Sequence, residues 1–431
     1  MIVPAGNWPS TGCTRSARGT HAGIARKNSL PSARMRAPAR HDPVIPAQTL
    51  LVQHRPPASH LTGSSGSFNH NPHTGALLRI GIIAPPFIPV PPPQYGGTEL
   101  FVANLAIGLK AKGVEVVLYT NGESTAPVER KWLYPQGEWP LKDDVFYHIR
   151  DLEHHAWAIA DATRDCDLLH VNNVSGLSYS RFVPQPFVYT VHHAHDAALL
   201  EVYRRYADVH YVCISSFQGT LLELPRCNTI HHGIDASLYR VGEGKRDYLA
   251  FLGRIAPVKG VHLAIEAAKK AGIPLKIAGQ IQPLFQDYWE QMVQPHVDGK
   301  FIEFVGELDL EGKNQLLGGA RAMLFPIQWH EPFGLVMVES MACGTPVLAL
   351  PGGSVAEVVE EGVSGHICAN VDDLGKRAAD VAIPAAAVRR YVEEKFSVAR
   401  MTAAYIQLYE RALAAGSVAR PTLAETGTSL L

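Results

Sequence analysis

The chain is 431 residues long, 46% of them hydrophobic, with mean hydropathy close to zero and a formal net charge of −1. That length exceeds one ordinary core and points to two domains, and no apolar run approaches the ~18 residues of a membrane-spanning helix, which leaves at most a peripheral membrane contact. Residues 1–78 carry eight Lys and Arg against one acid, Asp42; the remainder, with 31 basic and 39 acidic residues, is acidic by about eight charges and lacks the basic footprint of a nucleic-acid binder.

Residues 1–78 are rich in Ser, Pro, Arg, Ala, Gly and His, show no sustained periodicity and read as disordered. The first 41 residues hold seven basic residues and no acid, the composition of a transit peptide without its amphipathic helix; a translation start placed too far upstream accounts for them equally well. From Leu77 the run LLRIGIIAP predicts a buried strand, followed by the Pro-rich loop PPFIPVPPPQYGGTE and a helix from Leu100 to Lys112. Gly96 and Gly97 lie at the carboxyl end of that first strand, where their lack of a Cβ lets a phosphate or sugar approach the backbone. Gly81 is followed by Ile82 and Ile83, so the G-x-G-x-x-G turn of nicotinamide enzymes is missing.

Further apolar strands are expected at 114–120, 167–171, 187–192, 209–215 and 228–233, then, after the unpatterned linker 241–247, at 248–254, 275–279, 301–306, 322–327 and 345–350. Strands that are apolar throughout and alternate with helices mean parallel sheets covered on both faces. The expected organisation is therefore α/β: two Rossmann-like parallel-sheet domains facing across a cleft, at 79–240 and 241–400, with a C-terminal helix at 401–416 and a loose tail at 417–431. Six cysteines (Cys13, Cys166, Cys213, Cys227, Cys343 and Cys368) show no C-x-x-C spacing, and four sit in apolar surroundings, which reads as buried thiols in a reducing cytoplasm.

The richest stretch is FPIQWHEPFGLVMVESMACGT, 325–345. Its pattern is strand, loop, helix, with helical spacing from Phe333 and a stop at Gly344. Glu331 falls in the loop and Glu339 about two turns along the helix, roughly 10 Å apart at 1.5 Å rise per residue, too far to share a proton. The free N–H groups of Phe333, Gly334 and Leu335 at the helix start favour an anion or an oxygen-rich ligand such as a sugar nucleotide. Arg254 and Lys259 hang from the loop after the first strand of the second domain, a fork and a point charge suited to a diphosphate. His193, His195 and His232 do not make a metal site, since no Cys or carboxylate cluster completes one.

PPPQYGGTE (91–99), TVH (190–192), HGID (232–235), GRIAPVKG (253–260), the E-x7-E pair at 331 and 339, ACGTPVLA (342–349) and GSVAEVVEEGVSGHI (353–367) occur in that order. The chain thereby resembles the retaining family 4 glycosyltransferases of GT-B fold over residues 79–415. It departs from their common H-x-H at His170-Val171-Asn172, from T-x-H-G where His193 follows His192, and from G-H at Gly113-Val114. The resemblance implies that Arg254 and Lys259 hold the donor diphosphate, Glu331 the sugar hydroxyls and Glu339 the ribose. It further implies that Gly334 and Leu335 assist through their N–H groups and that His192 faces the sugar across the cleft. The implied reaction moves a hexose-type sugar from a nucleotide-diphosphate sugar to a sugar or lipid-linked acceptor by front-face departure of the diphosphate, without metal or cofactor. The implied location is the cytoplasm, with a membrane surface in reach. A GT-B phosphorylase or epimerase and a non-catalytic nucleotide-sugar-binding protein are the alternatives.

Overall fold

The computed structural model describes residues 77–140 and 145–416. The expectations for residues 1–76 and for the tail from 417 lie outside the described residues.

Two parallel sheets carry the fold. The first runs β3-β2-β1-β4-β5-β6-β7, from β1 (Arg79–Ile83), β2 (Glu115–Thr120), β3 (Glu129–Trp132), β4 (Leu168–Val171), β5 (Phe187–Val191), β6 (His210–Cys213) and β7 (Cys227–Thr229). Its helices are α1 (Gly97–Ala111), α2 (Val145–Ala162), α3 (Ala197–Arg204) and α4 (Ser216–Leu222). The second runs β10-β9-β8-β11-β12-β13, from β8 (Tyr248–Leu252), β9 (Leu275–Ala278), β10 (Ile302–Gly306), β11 (Ala320–Phe325), β12 (Val347–Ala349) and β13 (Gly365–Ile367). With it go α5 (Val261–Ala271), α6 (Gln286–Tyr288), α7 (Leu310–Gly318), α8 (Leu335–Ala342), α9 (Val355–Val358), α10 (Val371–Asp380) and α11 (Ala385–Lys395), before the long α12 (Val398–Gly416).

The central strands have apolar residues on both faces because each sheet separates two cores. Ile80, Ile82, Val116, Leu118, Leu168 and Val188 point to one face of the first sheet, and Ile83, Val117, Tyr119, Leu169, Val171 and Tyr189 to the other. Leu249, Phe251 and Ile277 alternate in the same way with Ala250, Leu252 and Ala278 in the second. Burying a full Ile, Leu or Val contributes about 1.5–3 kcal/mol, so this two-sided pattern fixes which residues become strands.

Although α12 follows the second domain in the chain, it returns to the first sheet. Met401, Tyr405, Leu408, Tyr409 and Ala412 belong to the core formed by Ile80, Ile82 and α1. The hydroxyls of Tyr405 and Tyr409 meet Thr190 Oγ1 at 2.9 Å and His170 Nδ1 at 2.7 Å, and His170 Nε2 meets the same Thr190 oxygen at 2.8 Å. Gly108 permits this approach, because a Cβ on α1 there would collide with Thr402 Oγ1.

The structure corrects several boundaries. Edge strands β3 and β13 had no apolar signal: β3 reads Glu-Arg-Lys-Trp and stays exposed or half-buried. Helix α8 begins at Leu335 rather than Phe333, so Glu339 sits little more than one turn along it. Helix α1 begins three residues early, at Gly97. Cys213 and Cys227 are not free thiols but pair as a disulfide between neighbouring strands β6 and β7, a pairing that only the β register brings about. Cys166, Cys343 and Cys368 are free and buried. Among the described residues no helix is long and apolar enough to cross a membrane.

Candidate active site

The loop between β11 and α8 carries Glu331, and two contacts hold it there. Gly353 packs so closely that a Cβ would strike the Glu331 backbone, and Ser354 N donates to Glu331 O at 2.9 Å. Glu331 is 7% exposed, and its Oε2 accepts from Lys259 Nζ at 2.5 Å and from Trp329 Nε1 at 2.8 Å. The Lys259 ammonium also lies over the Trp329 ring, 4.9 Å from its centroid. Lys259, expected beside a phosphate, is thus bound to the carboxylate expected to hold the sugar. The two form one charge-neutral cluster, which suits burial better than either ion alone.

Arg254 follows β8 and forms no ion pair among the described residues. Its field reaches Tyr95, whose hydroxyl pKa is raised by burial, lowered by Arg254, and raised again by Glu99, Glu331 and Glu307. Tyr95 lies in the loop that leads into α1. Tyr95 N donates to Glu307 Oε1 at 3.1 Å, a bond from the first domain to the second, and the Tyr95 ring stacks on Trp139 at 5.3 Å.

Gly96 and Gly97 divide the role expected of both. Gly96 is buried with φ +149°, and its bare Cα faces Pro92 and the Glu99 carboxylate, so its freedom serves the loop rather than a ligand. Gly97 is exposed at the start of α1, and a Cβ there would lie 3.7 Å from Leu335 Cδ1 at the start of α8. Two helix N-termini, one from each domain, therefore meet. Phe333 does not present an N–H at a helix start. Its ring is buried against His232, 5.0 Å between centroids, and Phe396.

Glu339 is 2% exposed, and its Oε1 accepts from Tyr239 OH and Lys313 Nζ, both at 3.0 Å. Neither partner was singled out in the sequence: Lys313 lies in a polar stretch of α7 that carries no signal. His192 follows β5, hydrogen-bonds Asn172 Oδ1 at 2.9 Å and stacks on His232 at 5.6 Å. Burial, then His232, His170 and His193, hold its pKa well below the ordinary imidazole value, so it is neutral.

Glu357, also missed although it stands in the GSVAEVVEEG stretch, joins the domains. Its carboxylate accepts from Ser216 N and Phe217 N at the start of α4, both at 2.7 Å, and bonds His231 Nε2 at 2.9 Å. A cavity of about 640 Å³ opens beside it, lined by residues of both domains that include Phe217, Trp329, His330 and Gly353. Among the described residues no group of three or more His, Cys, Asp or Glu side chains is placed to hold a metal ion.

Fold and site together define a two-domain GT-B protein with cations, carboxylates and helix N-termini gathered where the domains meet. The model described as "Glycosyltransferase Family 4" matches residues 95–238, and "Glycosyl transferases group 1" matches residues 240–382. The chain belongs to the family 4-like glycosyltransferases. It is 34% identical over 206 residues to a glycogen synthase of Mycobacterium tuberculosis, covering 43% of this chain and 48% of that one. The chain thus spans about half the length of the first curated relatives it matches. Two solved structures share the fold: sucrose-phosphate synthase of Thermosynechococcus elongatus has a TM-score of 0.65 at 20% identity, covering 78% of this chain and all of that one. HepE of Anabaena, solved with UDP-glucose, has a TM-score of 0.59 at 19% identity with the same coverage.

Proposed function

We propose that this chain is a retaining glycosyltransferase that moves a hexose-type sugar from a nucleotide-diphosphate sugar to a sugar or lipid-linked acceptor. The observation that carries the reading is the meeting of the α1 and α8 N-termini at Gly97 and Leu335, with the Lys259–Glu331 cluster in the loop before α8 and Arg254 near enough for its charge to act on Tyr95. Helix N-termini and a guanidinium without a carboxylate partner among the described residues suit a diphosphate, and they stabilise it most when leaving-group charge develops. Glu331 Oε1, on the carboxylate that Lys259 and Trp329 grip by Oε2, then accepts sugar hydroxyls. Lys259 exchanges its carboxylate contact for the diphosphate as charge grows there. Retention follows a front-face course in which the departing diphosphate takes the acceptor proton while Arg254 and Lys259 hold it. The acceptor enters by the cavity beside Trp329 and Phe217, and the cations take the part that a metal plays elsewhere. HepE, whose structure contains UDP-glucose, makes a UDP-sugar the first donor to try.

The test is thermal unfolding of the full chain with UDP, GDP, ADP and their glucose or mannose conjugates. A ligand at a hundred times its dissociation constant adds about 2.7 kcal/mol to apparent stability. A shift with one nucleotide series supports the donor site, and no shift with any of them refutes it.

A further inference from the structure

The carboxyl ends of β1, β4 and β5 lie side by side in the sheet, and they hand a hydrogen bond from one strand to the next. Asn172 Nδ2 donates to the Ile83 carbonyl at 3.2 Å, beside the bond from its own backbone N at 3.1 Å. That carbonyl has no proton. Turning the amide over would set two oxygen acceptors against each other, so the Asn172 orientation is fixed with Oδ1 toward His192. An amide oxygen only accepts, and it lies 2.9 Å from His192 Nε2. The ring proton of neutral His192 therefore sits on Nε2, which leaves a lone pair on Nδ1. No group among the described residues bonds Nδ1. The ring packs against His232, stacked at an interplanar angle of 22°, and against Phe101, 4.9 Å away, which also touches His232.

We propose that Asn172 is a positioning residue that locks His192 in the Nε2–H tautomer, so that Nδ1 accepts a hydrogen bond from a hydroxyl of the transferred sugar. This rests on the donor-site reading above and adds a selection rule to it. A histidine at position 172, as in the H-x-H pattern, can donate or accept and leaves the tautomer open, whereas Asn172 allows one. The site then requires a sugar hydroxyl that donates, and a deoxy or O-methyl sugar at that position loses the contact.

The experiment uses the full chain labelled with [15N]histidine, and long-range proton–nitrogen correlation reads both ring nitrogens. His192→Gln identifies the His192 signals by their loss. In the unliganded parent, Nε2 should carry the proton and Nδ1 none; a proton on Nδ1 overturns the tautomer assignment without touching the donor-site reading. Addition of UDP-glucose, GDP-mannose or ADP-glucose should shift Nδ1 with at least one of them. A correct tautomer whose Nδ1 ignores every nucleotide sugar overturns the accepting role, and with it the placement of the donor sugar at His192. In donor hydrolysis at pH 8, Asn172→Ala should lower turnover about tenfold with unchanged affinity for the bare nucleoside diphosphate, and in the labelled Asn172→Ala chain the His192 proton should no longer sit on Nε2 alone. Unchanged turnover in Asn172→Ala, or a proton still confined to Nε2, overturns the positioning role.

Discussion

Glu331 and Glu339 stand at two ends of one loop-and-helix segment, but their partners differ, and so should the consequences of removing their charge. Glu331→Gln weakens the grip on Lys259, which is then free for a phosphate. Turnover should fall on the order of a hundredfold while the nucleoside diphosphate binds as well as before or more tightly. Glu339→Gln leaves the largely buried Lys313 ammonium without its anion and should cost about 2 kcal/mol of stability together with nucleotide affinity. Calorimetry beside initial-rate kinetics separates the two; equal loss of nucleotide affinity in both contradicts the assignment. Glu99 offers a test in pH. Burial raises its pKa from 4.5 to about 7, so the folded state disfavours the ionised form. Its contribution to stability is full below pH 4.5 and is lost as pH rises through 7. Glu99→Gln should therefore exceed the parent in stability by roughly 2–3 kcal/mol at pH 8, and the gap should narrow at pH 5. Chemical denaturation at both values checks it.

At the scale of elements, the contact between α9 and α4 shows how a short helix end is used. The first N–H groups of α4 lack intrahelical partners; Ser215 Oγ satisfies Gln218 N at 3.1 Å, and the Glu357 carboxylate from the other domain satisfies the two before it. Burial alone would raise the Glu357 pKa, but hydrogen bonds from His231, Phe217 N and Ser216 N outweigh it and bring the value down to about 2. Stability from this contact is present above pH 4.5 and is lost as pH falls toward 2. Glu357→Gln should destabilise the chain by about 2 kcal/mol at pH 7, with the difference from the parent shrinking between pH 4.5 and 3. An unchanged difference across that range would mean that the charge is not what joins the domains. This clasp was not legible in the sequence, because nothing local in Ala356-Glu357-Val358 says which distant N–H groups the carboxylate meets. The same limit hid Tyr239 and Lys313 from Glu339. The strands were legible, since Ile80-Gly81-Ile82-Ile83 and Tyr248-Leu249-Ala250-Phe251-Leu252 are apolar on both faces. The start of α8 was read two residues early because Phe333 continues the apolar spacing, although its ring belongs to the core beneath the loop.

Across the whole molecule, the chain crosses between the two sheets twice, once after β7 and once through α12, whose Tyr405 and Tyr409 bind His170 and Thr190 within the first domain. Between those crossings the domains touch at Tyr95 and Glu307, at Gly97 and Leu335, and at α4 and Glu357. A substrate held, as proposed, by Arg254 on one side and His192 on the other draws on both domains, so neither alone should transfer a sugar. With the roles proposed above, this shared site releases a sugar from a nucleotide diphosphate with its anomeric configuration kept. Proton NMR of the full chain with UDP-glucose, GDP-mannose and ADP-glucose reads this directly, because it follows nucleoside diphosphate release and the anomer first formed in one time course. The proposed mechanism gives turnover of at least one donor, a first product with the donor's configuration, and a loss on the order of a hundredfold in Arg254→Ala. An inverted first product, or turnover unchanged in Arg254→Ala, would contradict it.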